Sequence, residues 1–340
     1  MKVQNTYIKR NFIRKLLIKI IRKFGFEAID QQNYSLLSTG KNLSEQHSIP
    51  GLKSLVIPFG ELKINEAITN IKIIFRSCTA INIMDQNKER LFKAEKKEYT
   101  FRSLNSILKS TQRAKKIFQK VNFSLVVTDT GSGKDDLTFI KKILDRYSNI
   151  NSTIIVINPE DFKSKIKGEY SNAKFSNMAN FYTSLNIAKS ECEDLVYFVE
   201  DDYIHKEIAI EEMLLTYEKF RTIFKDELIL LPADYPYLYT KNESTNILYG
   251  EKRHWRQVNE SLVTFMTSKK IILEYWNELT GMASRWSDPW EKPLHDIYER
   301  KKCFSPIPSL SMHCANINSI FGVPPNYEWK ESWDENEIKF

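Results

Sequence analysis

Five apolar residues, Leu195-Val196-Tyr197-Phe198-Val199, run directly into Glu200-Asp201-Asp202. An apolar run without alternation reads as a strand buried on both faces. The three carboxylates then stand at its carboxyl end, the edge where open α/β sheets bind their ligands. Adjacent carboxylates repel one another unless something positive compensates them. A divalent cation would do so, because hard cations take oxygen ligands. A solvated acidic turn closing a strand is the other reading, and the rest of the chain has to decide between them.

The flanking sequence alternates between strand and helix patterns. Strands are predicted at Lys72–Ser77, Phe123–Asp129, Ser152–Asn158 and Leu195–Val199. Helices are predicted at Tyr99–Phe118, Leu137–Tyr147 and Phe175–Lys189. Strands separated by helices of this length make βαβ units and a mostly parallel sheet. Gly131-Ser132-Gly133-Lys134 follows a strand and hints at a phosphate loop. That motif needs Gly five residues before the Gly-Lys pair and Ser or Thr after it. Thr128 and Asp135 occupy those positions, so the segment reads as a turn.

Composition narrows the partners. Of 50 basic residues, eight precede the first acid, Glu27; without them 42 basic residues face 43 acidic ones. The body is therefore neutral, which argues against nucleic acid bound over a broad basic face. From Phe12 onward Phe12, Ile13, Leu16, Leu17, Ile20, Ile21 and Phe24 share one half of a helical wheel. Arg14, Lys15, Lys19, Arg22 and Lys23 take the other half, and Gly25 offers a C-cap. A basic amphipathic helix of this kind suits an anionic membrane surface, or packs against protein. Residues 1–28 thus form a membrane-interface helix and 29–69 a polar linker and lead-in. No run of about 18 apolar residues exists to span a bilayer. Cys78, Cys192, Cys303 and Cys314 match no zinc spacing, so reduced thiols are expected.

The order of motifs carries a resemblance. A strand ending Arg76-Ser77-Cys78-Thr79 precedes a helix with Arg102-Ser103-Leu104-Asn105. A strand ending Asp129-Thr130-Gly131-Ser132 follows, then a helix with Asn180 and Asn186-Ile187-Ala188, then Glu200-Asp201-Asp202. This is similar to the nucleotide-binding half of a GT-A fold glycosyltransferase, family-2-like, of surface polysaccharide biosynthesis. Residues 70–205 resemble the nucleotide-sugar half, and 206–340 the more variable acceptor half and C-terminal tail. Glu200 stands where the family's DxD motif has its first Asp, and the first strand lacks the common proline and asparagine.

The resemblance implies an α/β, Rossmann-like fold and a metal-dependent transfer of sugar from a UDP- or GDP-type donor to a glycan or lipid-linked acceptor. The stereochemical outcome expected is inverting, at the cytoplasmic face of the membrane. It places Asp202 on a Mn2+ or Mg2+ ion and Arg76, Ser77, Asp129, Asn180, Glu200 and Asp201 around the donor. A late histidine often completes the metal site; His313, after Pro306 and Pro308, is the candidate, and His205 competes with it. A base must deprotonate the acceptor hydroxyl. Asp288, in Trp286-Ser287-Asp288-Pro289-Trp290-Glu291, fits, with Asp234 and Glu291 as alternatives. Asp288 also reads as an N-cap, with Pro289 at N1 and Glu291 closing a capping box. Trp286 and Trp290 are candidate stacking surfaces for acceptor sugars. Two rivals stay open: a sugar nucleotidyltransferase, and a non-catalytic glycan- or membrane-binding module. The first lacks its Gly-rich start here, and the second has no need of the acid triplet.

Overall fold

The computed structural model describes residues 12–26, 48–49, 53–56, 60–80, 90–240 and 244–339. The basic residues before Phe12 and the stretch between Phe26 and Ser48, expected to be linker, lie outside them. The chain divides at Ala67 into two compact units. The first holds helix α1 (Phe12–Lys23) and strands β1 (Ser48–Ile49), β2 (Lys53–Val56) and β3 (Gly60–Lys63). These strands form a small antiparallel sheet in the order β1-β2-β3, where the composition reads as lead-in. Gly25 follows α1 at φ +81°, a left-handed position that glycine adopts without steric cost. Leu16, Leu17 and Ile20 of α1 are about half exposed.

The second unit, Ile68–Phe340, carries the large sheet. Its elements are β4 (Asn70–Ser77), α2 (Lys96–Ile117), β5 (Asn122–Asp129), α3 (Lys134–Asp145), β6 (Asn151–Val156), α4 (Asn172–Glu191) and β7 (Leu195–Glu200). They continue with β8 (Tyr203–His205), α5 (Ala209–Phe224), β9 (Ile229–Leu230), β10 (Ile247–Tyr249), β11 (His254–Gln257) and β12 (Phe265–Ser268). Last come α6 (Lys269–Glu274), α7 (Trp276–Ser284), α8 (Lys292–Tyr298), β13 (Cys303–Ile307), β14 (Ser311–His313) and α9 (Trp329–Glu335).

Nine strands form one sheet in the order β10-β11-β13-β9-β12-β7-β4-β5-β6. Strands β7, β4, β5 and β6 are parallel, as the alternating pattern of residues 70–200 predicts. The remaining strands add a mixed half, with β12 antiparallel to both β7 and β9. Strands from residues 70–205 and from 206–340 share this one sheet.

Apolar runs in the parallel strands divide between two faces with a period of two. Ile73, Phe75, Leu125, Val127, Tyr197 and Val199 join one layer with Leu104 and Ile107 of α2, Ile140 of α3 and Phe220 of α5. Ile74, Val126, Val196 and Phe198 join the other with Phe181 and Leu185 of α4, Met282 of α7 and Ile297 of α8. Burying each such side chain contributes about 1.5–3 kcal/mol. Both faces being covered leaves the carboxyl edge of the strands as the place where polar side chains gather.

Candidate active site

Parallel register sets the first contacts. Arg76 of β4 lies opposite Glu200 of β7 and Thr128 of β5, and Ser77 lies opposite Asp129. The Arg76 guanidinium is 5 % exposed and sits 5.2 Å from the Phe181 ring centroid and 5.8 Å from that of Trp290. It donates to Asn177 Oδ1 on α4, and its Nη1 is 3.8 Å from Glu200 Oε1. Among the described residues, Nε and Nη1 have no hydrogen-bond partner. Burial lowers the Arg76 pKa, while Glu200 and its neighbouring acids support the charge. Glu200 accepts from the Thr264 hydroxyl at 3.2 Å. Burial raises its pKa against the pull of Arg76.

The three consecutive acids have different fates. Asp201 is engaged on both oxygens: it accepts from Cys78 N at 3.1 Å, Thr100 Oγ1 at 2.8 Å and Lys96 Nζ. It clips the ends of β4 and β7 to the first turns of α2, in place of the donor contact expected of it. Asp202 begins a turn into β8, and β8 pairs antiparallel with β14 so that His313 lies opposite Tyr203. Cys314 N donates to Asp202 O at 2.7 Å and extends that ladder. The pairing delivers His313 Nε2 to 3.3 Å from Asp202 Oδ2.

The His313 ring stacks on Tyr203, with centroids 4.8 Å apart and planes at 11°. Its Nδ1 is 2.9 Å from Phe321 O, which makes Nδ1 the protonated nitrogen and turns Nε2 toward Asp202. Burial opposes the charge on Asp202, but His313, Lys96 and Arg90 outweigh it and hold its pKa well below the ordinary value. Burial likewise opposes the imidazolium, and Asp202 overcomes it to raise the His313 pKa. A divalent cation would compete with a proton for the Nε2 lone pair. A carboxylate beside an imidazole whose other nitrogen is tied to a carbonyl is a donor set that fits Mn2+, and Mg2+ less well. Among the described residues no three His, Cys, Asp or Glu side chains form a metal cage. Ions held by one or two protein groups take further ligands from water and substrate phosphates.

His205, the competing ligand, points into the core. It is 3 % exposed, pairs with the Tyr197 hydroxyl, and burial pushes its pKa down to about 3.

The segment before α8 departs from the capping pattern. The helix starts at Lys292, with Pro293 in its first turn, and its N-cap is Glu291 without a side-chain bond. Asp288 is neither a cap nor buried. Its carboxylate is exposed and makes no hydrogen bond or ion pair with the described residues. Glu291 is half-buried and within electrostatic reach of Glu200, Arg76 and His313. Burial, reinforced by the charge of Glu200, pushes its pKa up to about 7. Asp234 is locked elsewhere: Oδ1 is 3.0 Å from Arg256 Nη2, and Oδ2 accepts from the Tyr239 hydroxyl.

Other expected contacts belong to the frame. Asp129 is fully buried and accepts from Ser77 Oγ at 2.7 Å and Ser132 N at 2.9 Å, which makes the Gly-Ser segment a turn. Ser77 is thereby occupied as well. Asn180 is 3 % exposed, with Oδ1 and Nδ2 both on Thr128 at 2.8 Å, and bolts α4 to β5. Trp290 is 4 % exposed, donates Nε1–H to Met282 O, and has Trp286 stacked on it at 5.2 Å. That corrects its expected sugar-stacking role, because one face is under Trp286 and the Arg76–Phe181 pair packs against the ring. Trp286 remains half-exposed, with Lys174 over it. Lys96, Asn177 and Thr264 are site neighbours that no local motif announces.

No protein-family model matches the chain, and no curated relative matches it. Solved structures give weak likenesses. One is the galactosyltransferase LgtC in complex with donor and acceptor sugar analogues: 12% identity, TM-score 0.34, 68% of this chain and 70% of that one. Another is mouse xyloside xylosyltransferase 1, at 10% identity and TM-score 0.32, over 68% of this chain and 76% of that one. A UDP-glucose pyrophosphorylase complexed with UDP-glucose gives 7% identity and TM-score 0.39, over 79% of this chain and 97% of that one. At these values no likeness assigns an activity to the chain.

Proposed function

We propose that the protein is a metal-dependent glycosyltransferase of the GT-A type. It moves a sugar from a nucleoside-diphosphate donor to a glycan or lipid-linked acceptor in surface polysaccharide synthesis. The observation that carries this reading is the Asp202–His313 pair at the carboxyl end of β7, with the imidazole tautomer set by Phe321 O. A cation bound there would supply positive charge to the departing diphosphate. Glu291, with its pKa near neutrality, takes the proton from the attacking hydroxyl, and the reaction is inverting. Arg76 offers to the nucleotide its Nε and Nη1, which make no hydrogen bond among the described residues, and Glu200, oriented by Thr264, faces the donor sugar or ribose.

The exposed apolar face of α1, with Lys19, Arg22 and Lys23 beside it, docks on anionic lipid at the cytoplasmic face. No described helix is long and apolar enough to cross a membrane. Titration with UDP, GDP and CDP tests the enzymatic reading: one of them binds with Mn2+ and is weakened at least about tenfold without it. Binding by none of the three overturns it. Deleting residues 1–26 releases the protein from phosphatidylserine vesicles; retained binding removes the lipid role.

A further inference from the structure

The segment that leads into α2 holds a cation, Arg90, whose charge reaches Asp202 but to which nothing above assigns a ligand. Nη1 and Nη2 of Arg90 are buried and, among the described residues, have no hydrogen-bond partner. The guanidinium lies 4.8 Å from the Tyr99 ring centroid. Its position is set from two sides. Leu91 N donates to Ala315 O at 2.9 Å, two residues beyond His313. The Tyr99 hydroxyl accepts from Phe92 N at 2.8 Å and donates to Phe92 O at 2.6 Å. The Phe92 ring stacks on Trp333 of α9, with centroids 4.0 Å apart and planes at 16°. Residues Arg90 to Glu95 line an open cleft of about 570 Å³, which also carries the exposed Lys93.

Buried donors are rarely left unpaired in folded proteins, and two on one guanidinium call for an explanation. Cation–π contact with Tyr99 holds the plane of the group but engages none of its N–H bonds. The pair of Nη atoms is a fork suited to the oxygens of phosphate. Asp202 is close enough to feel the Arg90 charge. Between a cation held by Asp202 and His313 and the guanidinium of Arg90, a bridging phosphate would be neutralised from both sides.

We infer that Arg90 is a phosphate ligand, forming with the cleft beside it an anion subsite next to the Asp202–His313 pair. The phosphate belongs either to the nucleotide donor or to a phosphate-bearing acceptor. The glycosyltransferase reading is needed to name those two carriers, but not for the subsite itself.

The test is calorimetric titration of the full chain with inorganic pyrophosphate, with and without Mn2+, and then with UDP, GDP and CDP. Arg90→Gln should weaken pyrophosphate at least about tenfold, the size of a lost charge-assisted pair. Arg90→Lys keeps the charge without the fork and should lose less, which also covers the case in which the Gln variant fails to fold. A parallel loss for the preferred nucleotide identifies the donor as the phosphate source. Lost pyrophosphate binding with unchanged nucleotide affinity identifies the acceptor. A wild-type chain that binds pyrophosphate through Arg90 but no nucleotide would sink the enzymatic reading and keep the subsite. Equal pyrophosphate affinity in wild type and both variants, or none in wild type, overturns the inference.

Discussion

Two aspartates follow strands of the same sheet and meet opposite conditions. Asp202, after β7, has among the described residues one side-chain partner, His313, at 3.3 Å, and its side chain is 17 % exposed. Asp234, after β9, is 1 % exposed and has Arg256 on one oxygen and Tyr239 on the other. Its backbone N–H is also engaged, by Ser309 Oγ at 2.8 Å. Both acids sit beside a buried cation or imidazole, so a charged partner alone does not separate them. Unused lone pairs do. A carboxylate filled by fixed protein donors ties elements together, whereas one facing a lone imidazole nitrogen keeps room for a ligand. Asp201 repeats the contrast one residue away from Asp202.

The largest expected effect breaks the ligand side of that contrast. Asp202→Asn should abolish Mn2+-dependent nucleotide binding and cut turnover by a factor on the order of 10³, with an unchanged circular dichroism spectrum. Metal-dependent affinity surviving in the variant would move the cation away from Asp202.

Asp234 should fail in the other currency, stability. Removing its carboxylate strands the buried Arg256 guanidinium, a loss of about 3–5 kcal/mol. Urea unfolding of Asp234→Ala measures it, and the combined Asp234→Leu, Arg256→Met variant should recover most of the loss. At temperatures where Asp234→Ala stays folded, nucleotide affinity should match wild type. A variant of normal stability and no turnover would instead make Asp234 a working acid.

Glu291 comes next. Glu291→Gln should lower turnover by a factor on the order of 10² with donor affinity preserved. A base must be deprotonated, so wild-type kcat/KM should climb through pH about 7 and level off above it, and the Gln variant should lose that limb. Stability runs the opposite way. The folded-state pKa is raised from 4.5 to about 7, so the folded chain holds a proton that the unfolded chain releases. Wild-type stability therefore declines as pH rises across that window, and Glu291→Gln should flatten the decline. Identical pH profiles for the two proteins would deny Glu291 both roles.

The parallel half was legible because each element there is long and carries its own period. Predicted strands at Lys72–Ser77, Phe123–Asp129 and Leu195–Val199 correspond to β4, β5 and β7 within about two residues at either end. Strands β9 to β14 span two to five residues each, too short for a period to declare itself. The Asp202–His313 meeting depends on pairing between β8 and β14, more than 100 residues apart in the chain, and no local pattern encodes it. The acid triplet located the edge but did not say which acid keeps free lone pairs, because Lys96, Thr100 and Cys78 decide that in space. Before α8 the chain offers two prolines for the first turn. Pro293 rather than Pro289 takes it, which moves Glu291 to the N-cap.

That shift sets the smallest expected effect, at Asp288. The spacing Asp288-Pro289-Trp290-Glu291 suits both a general base and a helix cap, and each role makes its own forecast. A base would lose a factor on the order of 10² as Asp288→Asn. A cap would tolerate Asn but lose about 1 kcal/mol as Asp288→Ala. The carboxylate caps no helix, since α8 begins four residues later, and our proposal assigns the base to Glu291 instead. Both variants should therefore keep turnover within about twofold and stability within about 0.5 kcal/mol of wild type, as surface substitutions away from special features do. Steady-state kinetics and thermal melts on the two proteins suffice. A loss of turnover confined to both Asp288 variants, with Glu291→Gln active, would return the base to Asp288 and reduce Glu291 to a buried acid beside Glu200.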